Sequence, residues 1–166
     1  EELKIFIYWC TKLYFQKTIS QYNGGFWSEF KQFLQSSKTG SEFEIGHVTF
    51  IKNRDELIII PNFTWIKKKP EKIKLTPNKT WYNTYFKIRE NGKFIYSSNK
   101  NQVSIPWNLY NEGLYLRRCK RGDKIKSATS KKHLLISDLF INNKLSKYYK
   151  LTQPIVVDKL DRIIWV

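Results

Sequence analysis

The sequence predicts an α+β fold: an N-terminal helix pair with a small β-hairpin, then a mostly antiparallel α+β domain. Three observations predict it. Apolar residues recur at helical spacing through the first part of the chain; the period switches to two after Lys38-Thr39-Gly40; and turn dipeptides and prolines then break the sequence at hairpin intervals. With 166 residues the chain can bury about two-thirds of the surface its unfolded form exposes, so it needs neither a disulfide nor a metal to fold. A hydrophobic content of 41% with 16% aromatics is too apolar for a disordered polycation.

Residues 3–16 place Leu3, Phe6, Ile7, Cys10, Leu13 and Tyr14 on one helical stripe, and this helix ends near Ser20, before the breaker Asn23-Gly24-Gly25. Ser28 to Ser37 continues as a second helix with Phe26, Phe30, Phe33 and Leu34 facing inward, because an aromatic stripe at this spacing is core. Phe43, Ile45, Val48 and Phe50 then alternate with polar positions. A turn at Asn53-Arg54-Asp55-Glu56 leads into Leu57-Ile58-Ile59-Ile60, closed by Pro61. The lysine- and proline-rich stretch 67–79 is a boundary, dividing the chain into residues 1–66 and 67–166.

Beyond it, Thr80 to Arg89 alternates as one strand, and Asn91-Gly92, the strongest short hairpin signal, returns the chain through Phe94-Ile95-Tyr96. Val103-Ser104-Ile105-Pro106 and Leu114-Tyr115-Leu116-Arg117 read as short strands. His133 to Phe140 reads as a short helix, with Leu134, Leu135, Asp138 and Leu139 at helical spacing. Ile155-Val156-Val157 and Ile163-Ile164-Trp165-Val166 form a final hairpin around Asp158-Lys159-Leu160-Asp161.

The formal net charge is +16, and it is unevenly spread. Residues 1–60 carry seven basic and seven acidic side chains, whereas residues 61–166 carry 23 basic and seven acidic ones. A bias toward Lys and Asn would spread evenly. The excess in the C-terminal part points to a polyanion, nucleic acid first and an anionic membrane surface second. No apolar run approaches the roughly 18 residues needed to span a bilayer. The chain opens on Glu1-Glu2, the wrong charge for a signal peptide, and contains no methionine, so it is read as a soluble, cytoplasmic piece of a longer protein.

The catalytic inventory is empty. There is no Gly-rich phosphate loop, no Gly-x-Ser-x-Gly elbow, no paired-carboxylate pattern and no His-Glu-x-x-His helix. Cys10 and Cys119 belong to no CxxC pair, and His47 and His133 are isolated, so no metal site is expected. Reduced thiols are expected, with a single disulfide as the other option.

The binding inventory is richer. Arg117, Arg118, Lys120, Arg121, Lys124 and Lys126 crowd into ten positions with one acid, expected on a loop pivoting at Gly122. Lys131 and Lys132 follow, then Lys144, Lys147 and Lys150 interleaved with Tyr148 and Tyr149. Arginine forks suit phosphate, and tyrosine rings stack on unpaired bases. Any one cluster reads equally as a solvated face with Tyr148 or Tyr149 packed inward. Asp123, directly after Gly122, is expected to cap backbone N–H groups or to hold a neighbouring arginine.

Leu116-Arg117, Gly122-Asp123-Lys124, Lys131-Lys132, Ser137-Asp138-Leu139-Phe140-Ile141, Lys144, Pro154 and Ile164-Trp165-Val166 together resemble the C-terminal domain of the bacterial tRNA(Ile)-lysidine synthetases. The resemblance covers residues 114–166. Residues 1–60 are similar, less specifically, to that family's helical substrate-binding segment, and residues 61–113 resemble nothing in it. Cys119 stands where the family has a second arginine, Asn142 where it has aspartate and Ser146 where it has proline. Phenylalanyl-tRNA synthetase carries a related fold in its β subunit.

The resemblance implies an ATP-dependent C–N ligase that activates C2 of the wobble cytidine of the CAU-anticodon isoleucine tRNA as an adenylate, which lysine then attacks to leave lysidine. The family's ATP-binding motif, Ser-Gly-Gly-x-Asp-Ser, is absent from this sequence. ATP, Mg2+ and lysine are therefore implied for the parent protein and not for this chain, which is expected to be inactive alone and to grip tRNA by its acceptor stem. A homodimer of the parent is left open. The competing readings are a generic structured-RNA or ribosome-associated module, a polybasic membrane-surface module and a free-standing enzyme.

Overall fold

The computed structural model describes residues 23–35, 38–46, 48–61, 72–82, 84–90, 92, 99, 101–127 and 132–166. The helix expected over 3–16, the return strand Phe94-Ile95-Tyr96 and Lys131 lie outside these residues. The fold is α+β, and the chain divides into two compact units: Glu1–Lys68 with Ser146–Tyr148, and Lys69–Leu145 with Tyr149–Val166.

In the first unit, α1 spans Gly24–Gln35, starting four residues before the predicted helix. The reason is the residue before it: Asn23 Oδ1 accepts the Phe26 N–H at 3.0 Å. Asn-Gly-Gly, a breaker in isolation, is here an N-cap followed by a first turn that tolerates glycine. The other end is capped from outside, where Lys52 Nζ donates to the Leu34 carbonyl at 2.6 Å and places a cation at the negative end of the helix.

Three antiparallel strands, β1 (Glu42–Ile45), β2 (Val48–Asn53) and β3 (Glu56–Pro61), form a meander with β2 central. The β2–β3 turn is the two-residue Arg54-Asp55, with Arg54 left-handed at φ 47°. Phe30 and Phe33 of α1 pack on Ile45, Val48 and Phe50. Phe30 lies 5.0 Å from Phe43 and 5.3 Å from Phe50, both edge-on. Such pairs add about 0.5–1.5 kcal/mol each beyond the area they bury.

The second unit is built on a four-stranded antiparallel sheet in the order β11-β10-β7-β4, with β4 at Ile73–Lys74, β7 at Leu114–Arg117, β10 at Ile155–Asp158 and β11 at Ile163–Trp165. All four residues of β10 are buried, because the sheet is covered on both faces. Val156, Leu114 and Leu116 join Leu75, Trp81 and Phe86 on one side. Ile155 and Val157 meet Ile136 and Phe140 on the other. A strand packed on both faces has no polar alternation to keep, which is why Ile155–Val157 reads as a plain apolar run.

The unit also holds the hairpin β5 (Lys79–Trp81) and β6 (Thr84–Phe86), the helix α2 (Trp107–Glu112), the ribbon β8 (Lys124–Lys126) and β9 (His133–Leu135), the helix α3 (Ile136–Asn142), and all of the helix α4 (Lys147–Thr152) but its first two residues, which belong to the first unit. Three expectations are corrected here. Thr80 to Arg89 is not one strand: it folds back at Tyr82, left-handed at φ 47°, and Thr80 pairs with Tyr85. Val103–Pro106 is not a strand but leads into α2, with Pro106 at its N-cap. His133–Leu135 is not helical, since it pairs with Lys124–Lys126, and α3 starts only at Ile136.

Candidate nucleic-acid interface

The basic run that follows β7 does not act as one loop. Its first member, Arg117, turns inward and is only 4% exposed. It grips Asp123 with both terminal nitrogens, Nη1 to Oδ2 at 2.7 Å and Nη2 to Oδ1 at 3.0 Å. Its Nε donates to Asp161 Oδ1 at 2.9 Å, and Nη1 also reaches the Arg118 carbonyl at 2.8 Å. Expected among the phosphate-binding cations, Arg117 is instead committed to an internal fork, and a buried guanidinium held by two carboxylates has no donor face left for a polyanion.

Asp123 does both of the things open to it. Besides holding Arg117, its Oδ2 accepts the Lys120 N–H at 2.7 Å. Its own N–H donates to the Lys120 carbonyl at 3.2 Å, closing a turn over Lys120–Asp123. Gly122 occupies the third position of that turn at φ 85°, where a side chain would be strained. The Asp123 carboxyl is held below its usual range: burial opposes this, and the Arg117 fork and the Lys120 N–H outweigh it.

Asp161 takes the remaining charges, accepting from Lys120 Nζ at 2.9 Å and standing 3.5 Å from Lys72 Nζ. Burial alone would raise its pKa, but the bonds from Lys120 and Arg117 hold it at about 2 against an ordinary 3.8. A carboxylate whose folded pKa lies below its unfolded one contributes stability above the unfolded value and loses it as the pH falls through the folded one. Thermal melts are therefore expected to drop between about pH 4 and pH 2, a drop that shrinks in Asp161→Asn. An equal acid response in the variant would show that this carboxylate is not the linked group.

Cys119 is a free thiol packed against the α3 side of the sheet. Burial first, and the Asp123 charge second, push it up to about 11, so it stays protonated at neutral pH and is a poor nucleophile. Arg118 is tied sideways: Nη2 donates to the Tyr82 hydroxyl, and its guanidinium lies 5.4 Å from the ring centroid.

Beyond this network stands an exposed two-stranded ribbon. Ile125 packs inward beside Ile136 and Phe140, so Lys124 and Lys126 point outward on the same face. His133 pairs opposite Lys126, exposed Lys132 precedes it, and Arg121 is exposed on the turn just before the ribbon. Among the described residues none of Arg121, Lys124, Lys126 and Lys132 has an ion-pair partner. The acids of this unit that form ion pairs, Asp123, Asp158, Asp161 and Glu112, engage Arg117, Arg162, Lys120, Lys72 and Lys159. The four cations on and beside the ribbon are thereby left outside this ion-pair network. Lys126 and His133 join this face through strand pairing; the alternation Lys124-Ile125-Lys126 was the available signal.

The other expected residues are dispersed. Lys144 is exposed after α3 in a left-handed conformation, φ 53°. Lys147 opens α4 and pairs with Glu42 at 3.0 Å. Lys150 and Tyr148 are half-buried, while Tyr149 presents 52% of its surface.

Among the described residues no group of three His, Cys, Asp or Glu side chains is placed to hold a metal ion. Among them, too, no helix is long and apolar enough to cross a membrane. No protein-family model matches the chain, and no curated protein matches it.

Proposed function

We propose that this chain is the tRNA-gripping C-terminal portion of a tRNA(Ile)-lysidine synthetase, acting in the cytoplasm on the CAU-anticodon isoleucine tRNA. One observation carries the nucleic-acid part of this reading: four exposed cations, Arg121, Lys124, Lys126 and Lys132, without acidic partners among the described residues, on a ribbon anchored to the core by Ile125. Three of the four are lysines, point charges suited to backbone phosphates rather than to reading base edges. A surface of this kind fits the shape and phosphates of an A-form stem, such as an acceptor stem.

The lysidine-synthetase part rests on the resemblance. The Gly122-Asp123-Lys124 stretch forms the turn that launches the ribbon, and Ser137–Ile141 forms the body of α3. The same resemblance assigns ATP, Mg2+, lysine and the ligation chemistry to the parent's ATP-binding domain.

A fluorescence-anisotropy titration tests the reading, with the CAU isoleucine tRNA, an elongator methionine tRNA and an unrelated RNA hairpin, each at two salt concentrations. The expected result is a preference for the isoleucine tRNA with a log–log salt slope of several units, about 0.7–0.9 per neutralised phosphate. Equal, salt-sensitive binding to all three would replace the assignment with a generic structured-RNA module. No binding at low salt would overturn the nucleic-acid reading altogether.

A further inference from the structure

The stretch that the family resemblance leaves unassigned contains its own candidate surface. Between Lys72 and Arg89 the sequence carries five cations, Lys72, Lys74, Lys79, Lys87 and Arg89, and no acid. Its hairpin is fastened to the core by one face only. Trp81 and Phe86 are 3% and 8% exposed; Trp81 Nε1 donates to the Thr152 carbonyl at 2.8 Å, and Phe86 meets Trp165 edge-on at 6.3 Å.

The outer face carries Tyr85, whose surface is 59% exposed. Directly across the hairpin stands Thr80, itself exposed and too small to cover an aromatic ring. A loose surface tyrosine would need no explanation, but this one is held. Its hydroxyl donates to Asn78 Oδ1 at 2.7 Å, and Asn78 is fixed in the left-handed region at φ 59° just before β5. The ring is thus pinned at its tip and rooted in a hairpin anchored by two buried aromatics, with its face left in solvent. Lys87, exposed, follows two residues later, and Arg89 beyond it is exposed as well.

We propose that the hairpin Lys79–Phe86 is a second RNA-contact element, in which Tyr85 is a stacking platform for one unpaired base and Lys87 and Arg89 hold the flanking phosphates. This rests on the RNA-binding reading above and adds a single-stranded contact to a ribbon suited to duplex. A pre-positioned ring loses little freedom when a base stacks on it, and stacking is tolerant of base identity because every base has a π face. The bond from Arg118 to Tyr82 ties this hairpin to the same basic segment from which the ribbon starts, within one compact unit.

The test uses the whole chain and two RNA probes. One is a blunt hairpin; the other is the same hairpin with a single-stranded tail carrying a fluorescent adenine analogue. Tyr85→Ala is expected to weaken binding of the tailed probe about tenfold and to abolish quenching of the analogue, while leaving the blunt hairpin unchanged. Tyr85→Phe, which keeps the ring and loses only the pin, is expected to stay within about threefold of the parent chain. Thermal melts confirm that both variants fold, as substitution of an exposed side chain should allow. If the parent chain binds both probes and Tyr85→Ala changes neither or both alike, the hairpin proposal fails and the ribbon reading stands. If the parent chain binds neither probe, both fail together.

Discussion

Arg117→Met is expected to destabilise the second unit by about 3–5 kcal/mol, the cost of removing one partner from a buried ion pair. The geometry explains the size. Asp123 is itself 11% exposed in its side chain and receives two parallel bonds from Arg117 while also closing the Lys120–Asp123 turn. Removing the guanidinium leaves a desolvated carboxylate with one backbone donor, and it unhooks the turn from Asp161 at the other end of the sheet's final hairpin. Arg117→Lys should recover little, because a single ammonium cannot reproduce a fork that engages two carboxylates at once. Urea denaturation followed by tryptophan fluorescence checks this, with Arg121→Met as the control. Arg121 is exposed and has no ion-pair partner among the described residues, so its replacement should stay within about 0.5 kcal/mol of the parent chain. An Arg117→Met variant as stable as the control would mean that the fork contributes nothing net to folding.

The second large effect concerns binding. Replacing Arg121, Lys124, Lys126 and Lys132 together by alanine is expected to flatten the log–log salt dependence of RNA affinity by about three units, at roughly 0.7–0.9 per lost phosphate contact. Four exposed side chains outside the ion-pair network can be removed with little effect on the core, so the melting temperature should hardly move. Exposed Lys31, from the first unit, whose share of the sequence is charge-balanced, is the matched control: Lys31→Ala should alter neither slope nor affinity. If the quadruple variant kept the parent slope, the ribbon would lie outside the interface. The exposed cations elsewhere, Lys144 among them, would then have to carry the binding.

Much of the fold is legible in the chain itself, and the legible parts share a property. The turn at Gly122-Asp123, the turn at Arg54-Asp55 and the final hairpin around Asp158–Asp161 each depend on residues close in sequence. The concentration of positive charge beyond residue 60 is a count, independent of conformation. Where local pattern misleads, a distant partner decides. Thr80 to Arg89 alternates as one strand would, yet the chain turns back at Tyr82, where Trp81 can bury itself against Thr152. Leu134 and Leu135 fit helical spacing with Asp138 and Leu139, but pairing with Lys124–Lys126 outweighs it and delays the helix to Ile136.

The candidate site divides along the same line. Its amino acids alone make this protein α+β, strongly basic in its C-terminal part and punctuated by a Gly-Asp turn within its densest cationic run. Which of those cations face solvent is settled by contacts between residues far apart in the chain. Asp161, 44 positions from Arg117, helps hold Arg117 inside and ties exposed Lys120 to itself, and strand pairing turns Lys124 and Lys126 outward. The physical reason is that a charge is either neutralised inside or solvated outside, and the choice depends on acids and strands that the fold, not the local sequence, brings within reach.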